Sequence, residues 1–317
     1  MTKPSIFIDG EHGTTGLEIR KRLEGRDDIE LISLAHEKRK DTTERKKLLN
    51  EANLSILCLP DEASRDAVAL ITNPRAKVID ASSAHRTADG WVYGFPELLL
   101  DQDNHIRAAK RVTNPGCYPT GALAFIRPLT DAELLPKAHG LTITAVSGYS
   151  GGGKELIDIC KNQKDNPRGG PFSAYGLDQK HKHIPEIKYH GGLSEDPIFL
   201  PSYSSALYRG MLIEIALRLK KVSQETGRAV SAAEIHAVLE KRYAGRKYIK
   251  LEPLETNLQL GYVLTPTAQN DTNNLQLRVI HNPEKDIVVL VACLDNLGKG
   301  ASGAAVQNMN LMLGFQD

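Results

Sequence analysis

The feature that most constrains this chain is a strand that runs through a glycine-rich turn into a helix near its start. Residues 5–9 (Ser-Ile-Phe-Ile-Asp) read as a short apolar strand, and residues 10–16 follow as Gly-Glu-His-Gly-Thr-Thr-Gly. A helical stretch to about residue 24 comes next. Glycines at 10, 13 and 16 let the backbone turn tightly and bring N–H groups and a helix N-terminus up to a phosphate. A plain strand-to-helix connection can look the same, so the weight of the turn comes from what repeats after it. Residues 30–34, 54–59 and 77–80 are further short apolar strands, separated by helical segments at about 41–50 and 61–72. Asp41 with Glu44 has the spacing of a capping box, and Pro60 closes the third strand. Strand–helix alternation calls for a parallel sheet with right-handed crossovers. The expected class is α/β, with a Rossmann-like doubly wound sheet.

Past about residue 117 the rhythm changes. Residues 141–147, 211–217, 275–281 and 287–294 read as strands with long, uneven connections, and one clear helix covers about 231–243. The Gly- and Pro-rich residues 165–172 read as a loop, and 301–313 as a last helix. This predicts a second, α+β domain with a mostly antiparallel sheet.

Charge and cysteine usage exclude several classes. Of 317 residues, 40 are Lys or Arg and 39 Asp or Glu, a net charge of +1. Nucleic acid and anionic membranes are therefore not expected partners. The apolar run 287–294 is too short to span a bilayer. Cys58, Cys117, Cys160 and Cys293 have no metal or redox spacing, and no secretory signal is visible. The expectation is a cytoplasmic protein with free thiols and no metal.

Two segments carry candidate chemistry. Residues 114–121, Asn-Pro-Gly-Cys-Tyr-Pro-Thr-Gly, precede an apolar helical stretch, and Pro119 suits a first helical turn. Cys117 therefore sits at or just before a helix N-terminus, a setting that favours thiolate. Cys58 and Cys293 read as strand residues and Cys160 as helical, where cysteine is usually inert core. A reactive thiol needs a proton partner, and His181-Lys182-His183 offers two. Residues 148–155 nearly match a phosphate-binding P-loop but end in Glu155 instead of a hydroxyl, which argues against a nucleotide triphosphatase. Arg86, past the fourth strand, and Arg209 can grip a carboxylate or phosphate. After the second strand comes Ala-His-Glu-Lys-Arg-Lys at 35–40. Glu37 could take a ribose hydroxyl, but the cations Lys38, Arg39 and Lys40 suit a 2′-phosphate better, which favours NADP over NAD.

With these pieces in place the chain resembles the N-acetyl-γ-glutamyl-phosphate reductases, in their shorter second type, over nearly its whole length. The resemblance rests on residues 10–16, 79–86, 94–98, 114–120, 146–151, 181–187 and 295–301. The wider relatives are the aspartate-semialdehyde dehydrogenases. It implies an NADP-binding Rossmann domain at 1–116 completed by the helix 297–317. A catalytic, substrate and oligomerisation domain would occupy 117–296. Gly10, Gly13, Thr14, Thr15, Gly16, Lys38, Arg39 and Asn296 would hold NADPH. Ser83, Arg86, Asn114, Ser147, Gly148 and Arg209 would hold the substrate, a small acyl phosphate. Cys117 would be the nucleophile, with His181 or His183 the acid–base partner, in a homodimer or homotetramer. The alternatives are an aspartate-semialdehyde dehydrogenase-like enzyme on another acyl phosphate, a cysteine hydrolase without nucleotide, and a nucleotide-binding regulator without a reactive thiol.

Overall fold

The structure, a computed structural model, describes residues 3–162, 170–256, 258–259 and 261–315. Residues 165–169 of the expected loop therefore lie outside the described residues. The chain divides into two compact units, Met1–Gly116 with Ala301–Asp317, and Cys117–Gly300.

Among the described residues of the first unit, six strands form one sheet. They are β1 (Ser5–Asp9), β2 (Glu30–Ile32), β3 (Leu54–Leu57), β4 (Lys77–Asp80), β5 (Val92–Tyr93) and β6 (Arg111–Thr113). Their order is β2-β1-β3-β4-β6-β5, and every pairing is parallel. Helices Thr14–Leu23, Thr42–Glu51, Asp61–Ala69 and Gln102–Ala108 lie between strands in the chain. The sheet is apolar on both faces, as a parallel sheet covered on both sides must be. Ile6, Ile8, Ile56 and Ile79 pack with Ile19 and with Met309 and Met312 of the helix Gly303–Leu313. Phe7, Leu57 and Val78 pack with Leu49 and Ala67 in a second cluster. Each large apolar side chain so buried contributes about 1.5–3 kcal/mol. The chain passes from β1 to β2 on one side and then to β3 on the other, so order reverses at β1. Ligands of such sheets bind beyond the carboxyl ends of the strands at that reversal.

Several details differ from the sequence reading, among them that β2 ends at Ile32 and that β5, β6 and the helix Gln102–Ala108 are absent from that reading. Cys58 lies just past β3, which ends at Leu57. Asp41 caps its helix by accepting from the N–H groups of Thr43 (2.8 Å) and Glu44 (3.2 Å), but the capping box does not close. Glu44 instead takes Lys38 Nζ at 2.6 Å, since a full charge outcompetes a backbone amide.

The described residues of the second unit hold β7 (Thr142–Gly148), β8 (Ser173–Ala174), β9 (Ile198–Ser204) and β10 (Met211–Arg218), then β11 (Ile249–Leu251), β12 (Glu255–Thr256), β13 (Leu275–Asn282) and β14 (Ile287–Leu294). The order is β11-β13-β14-β10-β7-β9-β8, with β12 also on β13. The long central pairings β7–β10, β10–β14 and β13–β14 are antiparallel, while β7–β9, β11–β13 and β12–β13 are parallel. The sheet is thus mixed, with an antiparallel centre. Alternation on β10 buries Ile213, Ile215 and Leu217 and exposes Glu214, Ala216 and Arg218, the pattern of a sheet covered on one face. Helix Cys117–Asp131 packs on β10 and β14, and Tyr243 of helix Ala232–Tyr243 donates to Ala124 O at 2.7 Å. The helix Gly153–Lys161 holds Cys160 as its helical reading implies, and stretches that read as connections contain β9 and the helices His183–Gly191 and Leu219–Thr226. Each is short, and Pro185 and Pro201 mask two of them.

Candidate active site

Cys117 is the first residue of helix Cys117–Asp131 and is partly buried. The turn Asn114-Pro115-Gly116 ends one path of the chain, and Pro119 starts the helix without losing a useful donor. Burial, then the charges of Asp80 and Asp9, push the Cys58 thiol far above its ordinary range. Burial raises Cys160 and takes Cys293 to about 11.

His181 and His183 converge in the second unit. His183 opens its helix and is buried, and His181 lies just before it, so the rings do not diverge as two helical residues would. Their centroids are 4.7 Å apart, and both face Tyr118, at 6.3 Å from His181 and 5.7 Å from His183. Phe199 closes the other side of His181 at 5.1 Å. His181 Nδ1 accepts from the His183 N–H at 3.2 Å, so the neutral ring carries its proton on Nε2. The Tyr175 hydroxyl donates to the Tyr118 hydroxyl at 3.0 Å, which donates to Ser202 O at 3.2 Å. Burial, with the Tyr175 and Cys117 charges adding to it, holds the Tyr118 phenol well above its usual value. Burial likewise raises Tyr175, against the Tyr118 hydrogen bond and together with Cys117. Both phenols therefore stay protonated beside the thiol. Neither tyrosine carries a chemical role in the sequence reading, although Tyr118 adjoins Cys117.

The turn after β14 backs the thiol. Asp295 O accepts from Gly298 and Gly300 N–H, each at 3.0 Å, and its carboxylate accepts from Leu297 and Asp271 N–H, each at 2.9 Å. A Cβ on Gly300 would lie 2.8 Å from Cys117 Cβ, so no side chain fits there. Arg209, read in the sequence as an anion anchor, is ion-paired to Asp271 and to Asp295, the latter at 3.3 Å. Asn296 is buried, with Oδ1 accepting from Gly210 N–H and Nδ2 donating to Ser150 Oγ, both at 2.9 Å. Ser147 Oγ donates to Gly148 O at 3.0 Å, and Gly148 N–H to Gly210 O at 2.8 Å. The stretch resembling a P-loop is a 3-10 turn, Tyr149–Gly152, followed by a helix.

In the first unit, Gly10 has φ +89°, and a Cβ there would meet Cys58 O at 2.4 Å. A Cβ on Gly16 would meet Gly10 O at 2.4 Å. Gly13 N-caps the helix that Thr14 and Thr15 open, with no side chain on its first N–H groups. This backbone cradle at the sheet's reversal fits a dinucleotide pyrophosphate. Arg39 lies against His36, and Lys38 pairs with Glu44. Ser83 binds Asp61 through N–H (2.9 Å) and Oγ (2.6 Å). Arg86 is buried and donates to Asn114 O at 3.1 Å, while Asn114 Nδ2 donates to Ala301 O at 2.9 Å. Among the described residues no group of three or more His, Cys, Asp or Glu could hold a metal, and no helix is long and apolar enough to cross a membrane.

Residues 5–108 match the family model for the semialdehyde dehydrogenase NAD binding domain, and 117–296 that for the semialdehyde dehydrogenase dimerisation domain. N-acetyl-gamma-glutamyl-phosphate reductase 2 of Nostoc sp. is 49% identical over 323 residues, covering 100% of this chain and 99% of that protein. The N-acetyl-gamma-glutamyl-phosphate reductase of Burkholderia lata is 47% identical over 317 residues, covering 100% of this chain and 98% of that one. Among solved structures, aspartate semialdehyde dehydrogenase II of Vibrio cholerae, complexed with ASA, superposes with a TM-score of 0.74 at 16% identity, over 99% of each chain. That of Candida albicans with NADP gives 0.64 at 14% identity, over 98% of this chain and 99% of that one. At these identities the superpositions speak to the fold.

Proposed function

Because the chain belongs to the semialdehyde dehydrogenase family, and within it to the N-acetyl-γ-glutamyl-phosphate reductases, we propose that it reduces N-acetyl-L-glutamyl 5-phosphate to N-acetyl-L-glutamate 5-semialdehyde with NADPH, releasing phosphate. This is a step of arginine biosynthesis. The relatives at 47–49% identity bear the reductase name, whereas the aspartate enzymes are similar only at 14–17%.

Cys117 Sγ attacks the acyl carbon; a C–S bond forms, the C–O bond to phosphate breaks, and phosphate leaves with the electron pair. NADPH, when bound, supplies a hydride to the thioester carbon. The C–S bond then breaks, releasing semialdehyde and returning the thiolate. His181, with its proton on Nε2, is suited to donate to the oxygen that gains charge, together with backbone N–H groups at the start of the Cys117 helix. His183 fixes that tautomer through its N–H and is the alternative acid–base residue. The glycine cradle with Thr14 and Thr15 would hold the pyrophosphate, with Lys38 and Arg39 near the 2′-phosphate. Asn296, assigned to the cofactor by resemblance, is held in place through its amide by Gly210 and Ser150. Ser83, Arg86, Asn114, Ser147, Gly148 and Arg209 belong to the substrate side of the reading. The unit at 1–116 with the C-terminal helix binds cofactor, and 117–296 carries the chemistry and the contacts of a homodimer or homotetramer working in the cytoplasm.

The observation that carries the reading is Cys117 at a helix N-terminus beside protonated phenols and a histidine pair, while the other three thiols are raised. The test is reduction of NADP with N-acetylglutamate 5-semialdehyde and phosphate. Turnover with that aldehyde well above that with aspartate 4-semialdehyde is expected; the reverse preference would select the aspartate-type alternative.

A further inference from the structure

The sequence gives the 2′-phosphate site three cations in a row, but the structure sends them in different directions. Lys38 turns to Glu44 at the start of the next helix, at 2.6 Å. Arg39 turns back on His36, with Nη1 3.0 Å from Nδ1. His36 in turn reaches the glycine-rich turn: its Nδ1 lies 3.4 Å from His12 Nε2, with ring centroids 5.0 Å apart. His12 lies between the first two glycines of the triplet, and His36 follows β2, where the ribose of a dinucleotide is read. Both rings are exposed.

The carboxylates around this group are shared with other cations. Glu11, 3.9 Å from His12, is already held by Arg20 Nη1 at 2.5 Å and by the Ser33 hydroxyl at 2.9 Å. Asp9, at the end of β1, is paired with Arg45 at 2.8 Å, and Glu44 with Lys38. Glu37 and Lys40 lie in the same exposed segment. A permanent guanidinium and two imidazoles thus stand together at the exposed rim of a phosphate cradle. A phosphate dianion seated among them would favour the protonated form of each ring.

We infer that His12 and His36 form with Arg39 a proton-dependent clamp for the 2′-phosphate of NADPH, taking up protons as the cofactor binds. The inference rests on the NADPH reading above. It makes the preference for NADPH over NADH a function of pH, because uptake on binding means affinity that falls as pH rises through the imidazole range of about 6.5. Arg39 supplies the part of the preference that pH does not touch.

The test is isothermal calorimetry of the whole protein with NADPH and with NADH near neutral pH, in two buffers of different ionisation enthalpy. NADPH binding is expected to take up protons and NADH binding not. The NADPH affinity should fall roughly fivefold or more between about pH 6 and about pH 8. In the His12→Gln, His36→Gln variant the uptake should vanish and the NADPH affinity at about pH 6 drop, whereas Arg39→Gln should weaken NADPH at every pH. Proton uptake equal for NADPH and NADH, or unaltered in the double variant, overturns the clamp while NADPH binding still stands. Failure of wild-type protein to bind NADPH at any pH overturns the cofactor reading itself.

Discussion

The two candidate sites are built in opposite ways. The cradle of the first unit is backbone: Gly10 packs on Cys58 O, Gly16 packs on Gly10 O, and the partners come from the first strands of one sheet. The thiol site of the second unit is assembled from remote segments: Gly300 backs Cys117, Asn296 ties to Ser150 across 146 residues, and Phe199 closes on His181. A phosphate cradle needs amides and room, which glycines supply locally; group transfer needs several different side chains, which only tertiary packing collects. Changes in the cradle should therefore act on cofactor affinity, and changes in the thiol site on the chemical steps.

The sharpest division is expected from Cys117→Ser. Turnover should fall by about 10³-fold or more, while NADPH affinity measured by fluorescence stays near wild type. Loss of cofactor binding in this variant would break the division. His181→Asn should cost about 10²–10⁴ in turnover, and His183→Asn less, mainly through KM. Single-turnover reduction measures both, and a larger loss for His183→Asn would exchange their roles. From the other side, Gly16→Ala places a methyl 2.4 Å from Gly10 O and should weaken NADPH binding about tenfold or more. The reaction of its Cys117 with iodoacetamide should stay unaltered.

Two smaller effects refine the picture. Because only thiolate alkylates, Cys58, Cys160 and Cys293, all raised, should react with iodoacetamide at mildly alkaline pH far more slowly than Cys117. Peptide mapping over time reads this order, and early labelling of Cys293 would contradict it. Finally, Lys38→Gln should change NADPH affinity less than Arg39→Gln, since Lys38 is paired with Glu44. Equal losses would return both to one patch.

The same contrast explains what could be read from the chain alone. β1, β4 and β14 keep the limits their apolar runs suggest, and Cys117 sits at the helix N-terminus that Pro119 implies. Local signals sufficed there. The sequence reads Arg209 as an anion anchor but does not show Asp295 and Asp271, which pair with it from the turn after β14 and the segment before β13. Ser150, Gly300 and Tyr175 carry no legible role in the sequence for the same reason: their neighbours are distant in the chain. His12 and His36 escaped notice because isolated histidines carry no pattern until the fold sets them side by side.

The most direct test of the account is to mix the protein with N-acetylglutamyl 5-phosphate in the absence of NADPH, quench rapidly, and measure both free phosphate and the acylated peptides by mass spectrometry. The account predicts a phosphate burst equal to the enzyme present, with the acyl group on the peptide containing Cys117. A burst without acylation, or acylation at Cys58, Cys160 or Cys293, would contradict it.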